Sequence, residues 1–113
     1  MFQNLIIADD FTGSNDTGMQ LQRRGFSVNV FFKKPSVLPA DMSVVLDTET
    51  RGLSADAAYE KVKQDTKEID FSKFKYVIKK TDSLLRGNIP QEVKAIDEIY
   101  KSELVIFMPA LPD

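Results

Sequence analysis

The chain has 113 residues, with 15 basic and 17 acidic side chains and a formal net charge of −2. That length allows one domain at most, and the charge balance gives no sequence-wide pull towards nucleic acid or an anionic membrane. Histidine and cysteine are both absent, which excludes a Ser-His-Asp or Cys-His nucleophile, a His-ligated metal and a disulfide framework. Acid–base chemistry must then use Asp, Glu, Lys or Tyr, and a metal site must be oxygen-ligated, of the kind that suits Mg²⁺. No apolar run approaches the roughly 20 residues of a membrane span. No positive segment leads an apolar one at the N-terminus, so the expectation is a cytoplasmic protein without a signal peptide.

In chain order, Asn4–Ala8 reads as a first strand. Asn15–Arg24 reads as a helix, with Ser14 or Asn15 as its cap and Gly25 past its end. Ser27–Lys33 is a second strand, with Val28, Val30 and Phe32 alternating. Pro35 and Pro39 make Lys34–Met42 a loop. Ser43–Asp47 is a third strand. Ala55, Ala58, Tyr59, Val62 and Ile69 keep helical spacing and predict a second helix from Ser54 to about Glu68. Lys75–Lys80 is a fourth strand. Asn88–Lys101 is a third helix with Ile89, Val93, Ile96 and Tyr100 on one face; Asn88 with Gln91 resembles a capping box, and Pro90 fits the first turn. Glu103–Met108 is a fifth strand.

The order β-α-β-β-α-β-α-β, with unalternating apolar strands, predicts an α/β fold: three layers around an open, largely parallel, Rossmann-like sheet. The last strand lacks a covering helix, so the chain reads as the front of a longer protein, incomplete at its C-terminus. Self-association is one way such a strand is covered.

Three polar clusters each follow an apolar strand. They are Asp9–Gly18, Asp47–Arg51 and Lys79–Asn88. Strand C-termini of a parallel sheet share one edge, where ligands bind, so the clusters are expected to converge. Asp and Asn suit the hydroxyls of a small polyol. Arg51, Arg86 and Lys80 suit a carboxylate or phosphate, Arg with a bidentate fork. Gly13 and Gly87 let backbone N–H groups approach an anion near helix starts. Together these residue types fit a hydroxylated acid. Plainer roles stand beside this reading. Asp9 and Asp10 could satisfy a turn, Asp16 could complement a helix N-terminus, and Arg86 could pair locally with Asp82. Lys61–Lys67 reads as a solvated helix face and Lys33-Lys34 as a charged strand end.

The stretches ADDFTGSNDTG (8–18), DTETR (47–51), KKTDSLLRGNIPQE (79–92) and PALP (109–112) resemble the four-carbon acid sugar kinase family, in the family's order. The family phosphorylates D-threonate, D-erythronate or 3-oxo-tetronates. The resemblance implies that residues 1–113 are part of the N-terminal acid-sugar-binding domain, and that the C-terminal nucleotide-binding domain is absent from this chain. It implies substrate contacts from Asp9, Asp10, Asn15, Asp16, Arg51, Lys80, Thr81, Asp82, Ser83 and Arg86, with Asp10 or Asp82 as the catalytic carboxylate. ATP and Mg²⁺ would come mainly from the absent domain. The sequence departs from the family at Leu84 and Leu111, where a small or hydroxyl residue and an aromatic are common.

Two other readings stand beside this one. A phospho-receiver domain would use Asp9-Asp10, Asp47 and Thr81 or Ser83. Against it, a receiver needs a helix where the proline-bearing loop lies and a Lys where Pro109-Ala110 follows the fifth strand. A non-catalytic remnant of a kinase would have the same sequence.

Overall fold

The structure is a computed structural model that describes residues 2–32, 42–67, 69–82 and 84–101. The predicted fifth strand, the PALP stretch, Lys33, Ser83 and residues 34–41 of the predicted loop lie outside the described residues. The described elements are β1 (Phe2–Ala8), α1 (Phe11–Arg23), β2 (Val28–Phe31), β3 (Ser43–Asp47), α2 (Ala55–Thr66), a 3₁₀ turn (Phe71–Lys73), β4 (Phe74–Lys80) and α3 (Ile89–Tyr100).

The four described strands form one parallel sheet in the order β2-β3-β1-β4. The fold is therefore α/β with an all-parallel described sheet, as the strand composition predicts. β1 is central: Ala8 lies opposite Asp47 of β3 and Lys80 of β4. The three strand ends that precede the polar clusters are thus neighbours. This order also differs from the 2-1-3-4-5 order of a phospho-receiver, where strand two borders strand one.

The crossover through α1 moves to one side of β1, and the crossover through α2 moves to the other. Right-handed crossovers in opposite directions put their helices on opposite faces. One face packs Leu5, Ile7, Val44 and Leu46 against Val62 of α2 and Ala95 and Ile96 of α3, closed below by Ile69, Phe71 and Phe74. Each such fully buried aliphatic contributes about 1.5–3 kcal/mol. The other face carries Ile6 and Val45 under α1, whose buried residues are Ser14 and Gly18. On that face α1 does not cover β4, and Tyr76 and Ile78 remain 58% and 43% exposed. The fourth strand is therefore open on this face.

Two boundaries need correction. α1 starts at Phe11 and is capped by Asp10, four residues ahead of the expected start at Asn15. The polar residues that looked like loop are bonded within the helix: Ser14 Oγ donates to the Asp10 carbonyl and Thr17 Oγ1 to the Gly13 carbonyl, both at 2.7 Å. The capping box at α3 does not form. The Asn88 side chain makes no cap; its Nδ2 donates to the carbonyls of Leu53 at 2.8 Å and Thr50 at 3.4 Å. It ties α3 to the loop after β3.

Candidate functional site

β1 delivers Asp9 and Asp10 to the sheet edge. Asp10 Oδ1 accepts from Gly13 N–H at 2.9 Å. A Cβ on Gly13 would sit 2.6 Å from that oxygen, so this cap requires a glycine there. The Asp9 side chain is only 2% exposed. Its backbone carbonyl accepts from Thr50 N–H at 3.0 Å and Arg51 N–H at 3.2 Å. These bonds fix the turn after β3 against the end of β1.

The turn aims Arg51 back over the acids. Its Nη2 donates to Asp9 Oδ1 at 3.0 Å and its Nε to Asp9 Oδ2 at 3.3 Å. Its Nη1 donates to Asp10 Oδ2 at 3.0 Å and lies 3.7 Å from Asp82 Oδ1. One guanidinium thus joins the first cluster to the third. Asp82 is held from the other side by Arg86, through Nε at 2.8 Å and Nη2 at 2.9 Å. Leu84 and Arg86 N–H also donate to its Oδ2. The Arg86 side chain, with these backbone donors, holds the Asp82 carboxyl well below the usual carboxylate range. The local ion pair that the i,i+4 spacing offers is present.

The left-handed backbone at Gly87, φ 96°, lets the loop pass close to Asp9. A Cβ there would be 2.7 Å from Asp9 Oδ2 and 3.4 Å from Arg51 Cγ. Lys80 Nζ donates to the Thr81 carbonyl at 2.6 Å. Its remaining protons are uncommitted among the described residues.

Of the expected site residues, Asp9, Asp10, Arg51, Asp82 and Arg86 form one connected group. Lys80 and Thr81 adjoin it at the end of β4. Asn15 and Asp16 are exposed on α1, and no bond joins them to the group. Ser83 lies outside the described residues.

Sequence reasoning missed four contributors. Glu92 is fully buried on α3. Its Oε1 is 2.8 Å from Thr50 Oγ1 and 3.5 Å from Lys79 Nζ. Thr50 Oγ1 is 2.8 Å from Thr48 Oγ1, which is 3.0 Å from the Ala8 carbonyl. A signal for Glu92 was available: it stands three residues after Ile89 and four before Ile96, on the apolar face of the helix.

Asp47 marks the second cluster and is also fully buried. Its Oδ1 accepts from Glu49 N–H at 3.0 Å, and its Oδ2 has no partner among the described residues. Glu49 itself adopts φ 50°, an uncommon region for a side chain of its kind. Burial first, then the neighbouring Glu49, pushes the Asp47 carboxyl up to about 7. The folded form therefore holds a proton that the unfolded chain gives up near its ordinary value of 3.8. Stability from this group is present at acid pH and is lost as pH rises through 7. Asp47→Asn keeps the bond to Glu49 and removes that loss. Its melting temperature is expected to exceed the wild-type value at pH 8, by less at pH 5, and to converge with it near pH 4, by thermal denaturation at all three.

No described helix is long and apolar enough to cross a membrane. The family described as sugar-binding N-terminal domain matches residues 4–113. The chain is 40% identical over 112 residues to the D-threonate kinase of Salmonella typhimurium, covering 96% of this chain and 26% of that protein. It is 31% identical to the D-erythronate kinase of Heliobacterium modesticaldum, with the same two shares. It is 30% identical to the D-threonate kinase of Bordetella bronchiseptica, over 95% of this chain and 28% of that one. The chain thus spans about a quarter of the length of these relatives. No solved structure matches it. The kinship with four-carbon acid sugar kinases expected from the motifs is borne out, and the chain belongs to the sugar-binding N-terminal domain family.

Proposed function

We propose that this chain holds a four-carbon sugar acid of the threonate, erythronate or oxo-tetronate type, as the substrate-binding part of an ATP-dependent kinase acting on an alcohol group. The observation that carries the reading is the Arg51 guanidinium bound to Asp9 and Asp10 and close to Asp82 at the edge where three strands end. A guanidinium has five N–H donors, and the hydrogen bonds to Asp9 and Asp10 occupy three of them. Its remaining donors, the uncommitted protons of Lys80 and the Arg86 donors not bound to Asp82 suit the substrate carboxylate, with Thr81 next to Lys80 in the chain; Ser83, outside the described residues, is a contact expected from sequence alone. Asp9 and Asp10 suit its hydroxyls. Asn15 and Asp16, exposed on the second turn of α1, are left as outlying contacts.

Phosphoryl transfer asks for positioning and charge neutralisation more than covalent chemistry. A carboxylate near the attacking hydroxyl orients it and accepts its proton. Of the two expected candidates Asp10 suits the role better, because the Arg86 side chain, the N–H groups of Leu84 and Arg86 and the nearby charge of Arg51 stabilise Asp82 in its ionised form. Among the described residues no group of three or more acids is arranged for a metal ion. We take ATP and Mg²⁺ to come mainly from a nucleotide-binding domain outside this chain. The phospho-receiver alternative is disfavoured by the strand order and by the full burial of Asp47, its phosphate acceptor.

Calorimetric titration with D-threonate and D-erythronate tests the reading. Saturable binding is expected, weakened tenfold or more by Arg51→Lys, which keeps the charge and loses the fork. A folded sample that binds neither acid overturns it.

A further inference from the structure

The side chains between β1 and α3 form an unbroken polar line: Ala8 carbonyl, Thr48 hydroxyl, Thr50 hydroxyl, Glu92 carboxyl. Its three links measure 3.0, 2.8 and 2.8 Å, and each is of hydrogen-bond length. The two hydroxyls supply two protons. With Glu92 ionised, Thr50 donates to Glu92, and Thr48 donates either to the Ala8 carbonyl or to Thr50. One of the three links then has no proton. With Glu92 as a neutral acid, Glu92 donates to Thr50, Thr50 to Thr48 and Thr48 to the carbonyl, and every link is filled.

A second observation points the same way. Glu92 Oε2 is buried and has no partner among the described residues. A carbonyl oxygen left unpaired costs far less than a carboxylate oxygen left unpaired. The charged neighbours are Lys79 from β4, which favours the ionised form, and Asp9 from the end of β1, which opposes it. Burial is the largest influence and raises the Glu92 carboxyl above its ordinary value.

We infer that Glu92 is a positioning residue of the site, held as a neutral acid whose proton completes a line through Thr50 and Thr48 to the Ala8 carbonyl and so fixes the turn that carries Arg51. Thr50 is the hinge of the effect. Its hydroxyl joins the line, its N–H bonds the Asp9 carbonyl at 3.0 Å, and the next residue is Arg51. Glu92 touches no ligand in this scheme; it acts by holding that turn.

The protonation arm of the test stands alone, and the ligand arm rests on the sugar-acid reading above. Carboxyl ¹³C shifts of the unmutated chain, labelled at glutamate and assigned with Glu92→Gln, report the state of Glu92 at pH 7. A protonated Glu92 is expected beside an ionised Glu98, which Tyr59 and Lys63 hold in its charged form. An ionised Glu92 overturns the inference. In D-threonate titrations, Glu92→Gln, whose amide can donate to Thr50, is expected within about threefold of wild type, and Glu92→Ala about tenfold or more weaker, with melting temperatures read alongside. Glu92→Ala binding as tightly as wild type overturns the positioning role. Failure of wild type to bind overturns the functional reading and leaves the carboxyl shift to decide this one.

Discussion

Arg51→Ala is expected to cost about 3 kcal/mol of stability and to abolish sugar-acid binding. Removing one partner of a buried ion pair leaves the other charged and unpaired, and that costs about 3–5 kcal/mol; the lower figure applies because the Arg51 side chain is 24% exposed. Asp9 carries most of the penalty, since it is nearly inaccessible to water and both of its oxygens bond Arg51. Against a typical domain stability of about 5–15 kcal/mol, the loss should be plain in urea denaturation. A loss below about 1 kcal/mol, the worth of an exposed pair, would mean that Asp9 finds another partner or reaches water.

Gly87→Ala is the second large effect, and its causes can be separated. An L side chain at φ 96° is strained by about 1–2 kcal/mol. The new Cβ would also fall 2.7 Å from Asp9 Oδ2, which must swing away from Arg51. Gly25 supplies the control, with φ 90° and nothing within 4 Å of a built Cβ. Gly25→Ala should therefore cost the strain alone, and Gly87→Ala should cost about 1 kcal/mol or more beyond it. In an Asp9→Ala background that excess should disappear. Equal losses at the two glycines would show that Asp9 yields without cost.

The parts of this site legible in the sequence are those set by topology. Parallel strands end on one edge, so clusters after three strands meet whatever their side chains do. Asp9, Asp10, Arg51 and Asp82 were found in this way. What was not legible depends on which of several possible bonds forms, or on side chains brought together from far apart in the chain. Asp10 caps α1 only because Gly13 leaves room for its carboxylate, and a run of Asp, Thr, Gly and Ser reads locally as a loop. Asn88 has the sequence of a cap, but the carbonyls of Leu53 and Thr50 come within its reach and take its amide. Glu92 was given no role in the sequence reading; its burial beside Lys79 follows only from the packing of α3 on the sheet.

The central place of β1 has a consequence for how the chain is made. Its first sheet neighbour, β3, emerges only after α1 and β2, and its second, β4, only after α2. During synthesis this central strand must wait for both. α1 can form locally, but it has no complete surface to rest on until Ser43–Asp47 arrives. Long-range pairing of this kind slows folding and exposes apolar segments while it lasts. The segment through Ile7 is thus the one a chaperone would meet on the nascent chain. In hydrogen exchange its amides should open only with the whole domain, since both edges of that strand are bonded.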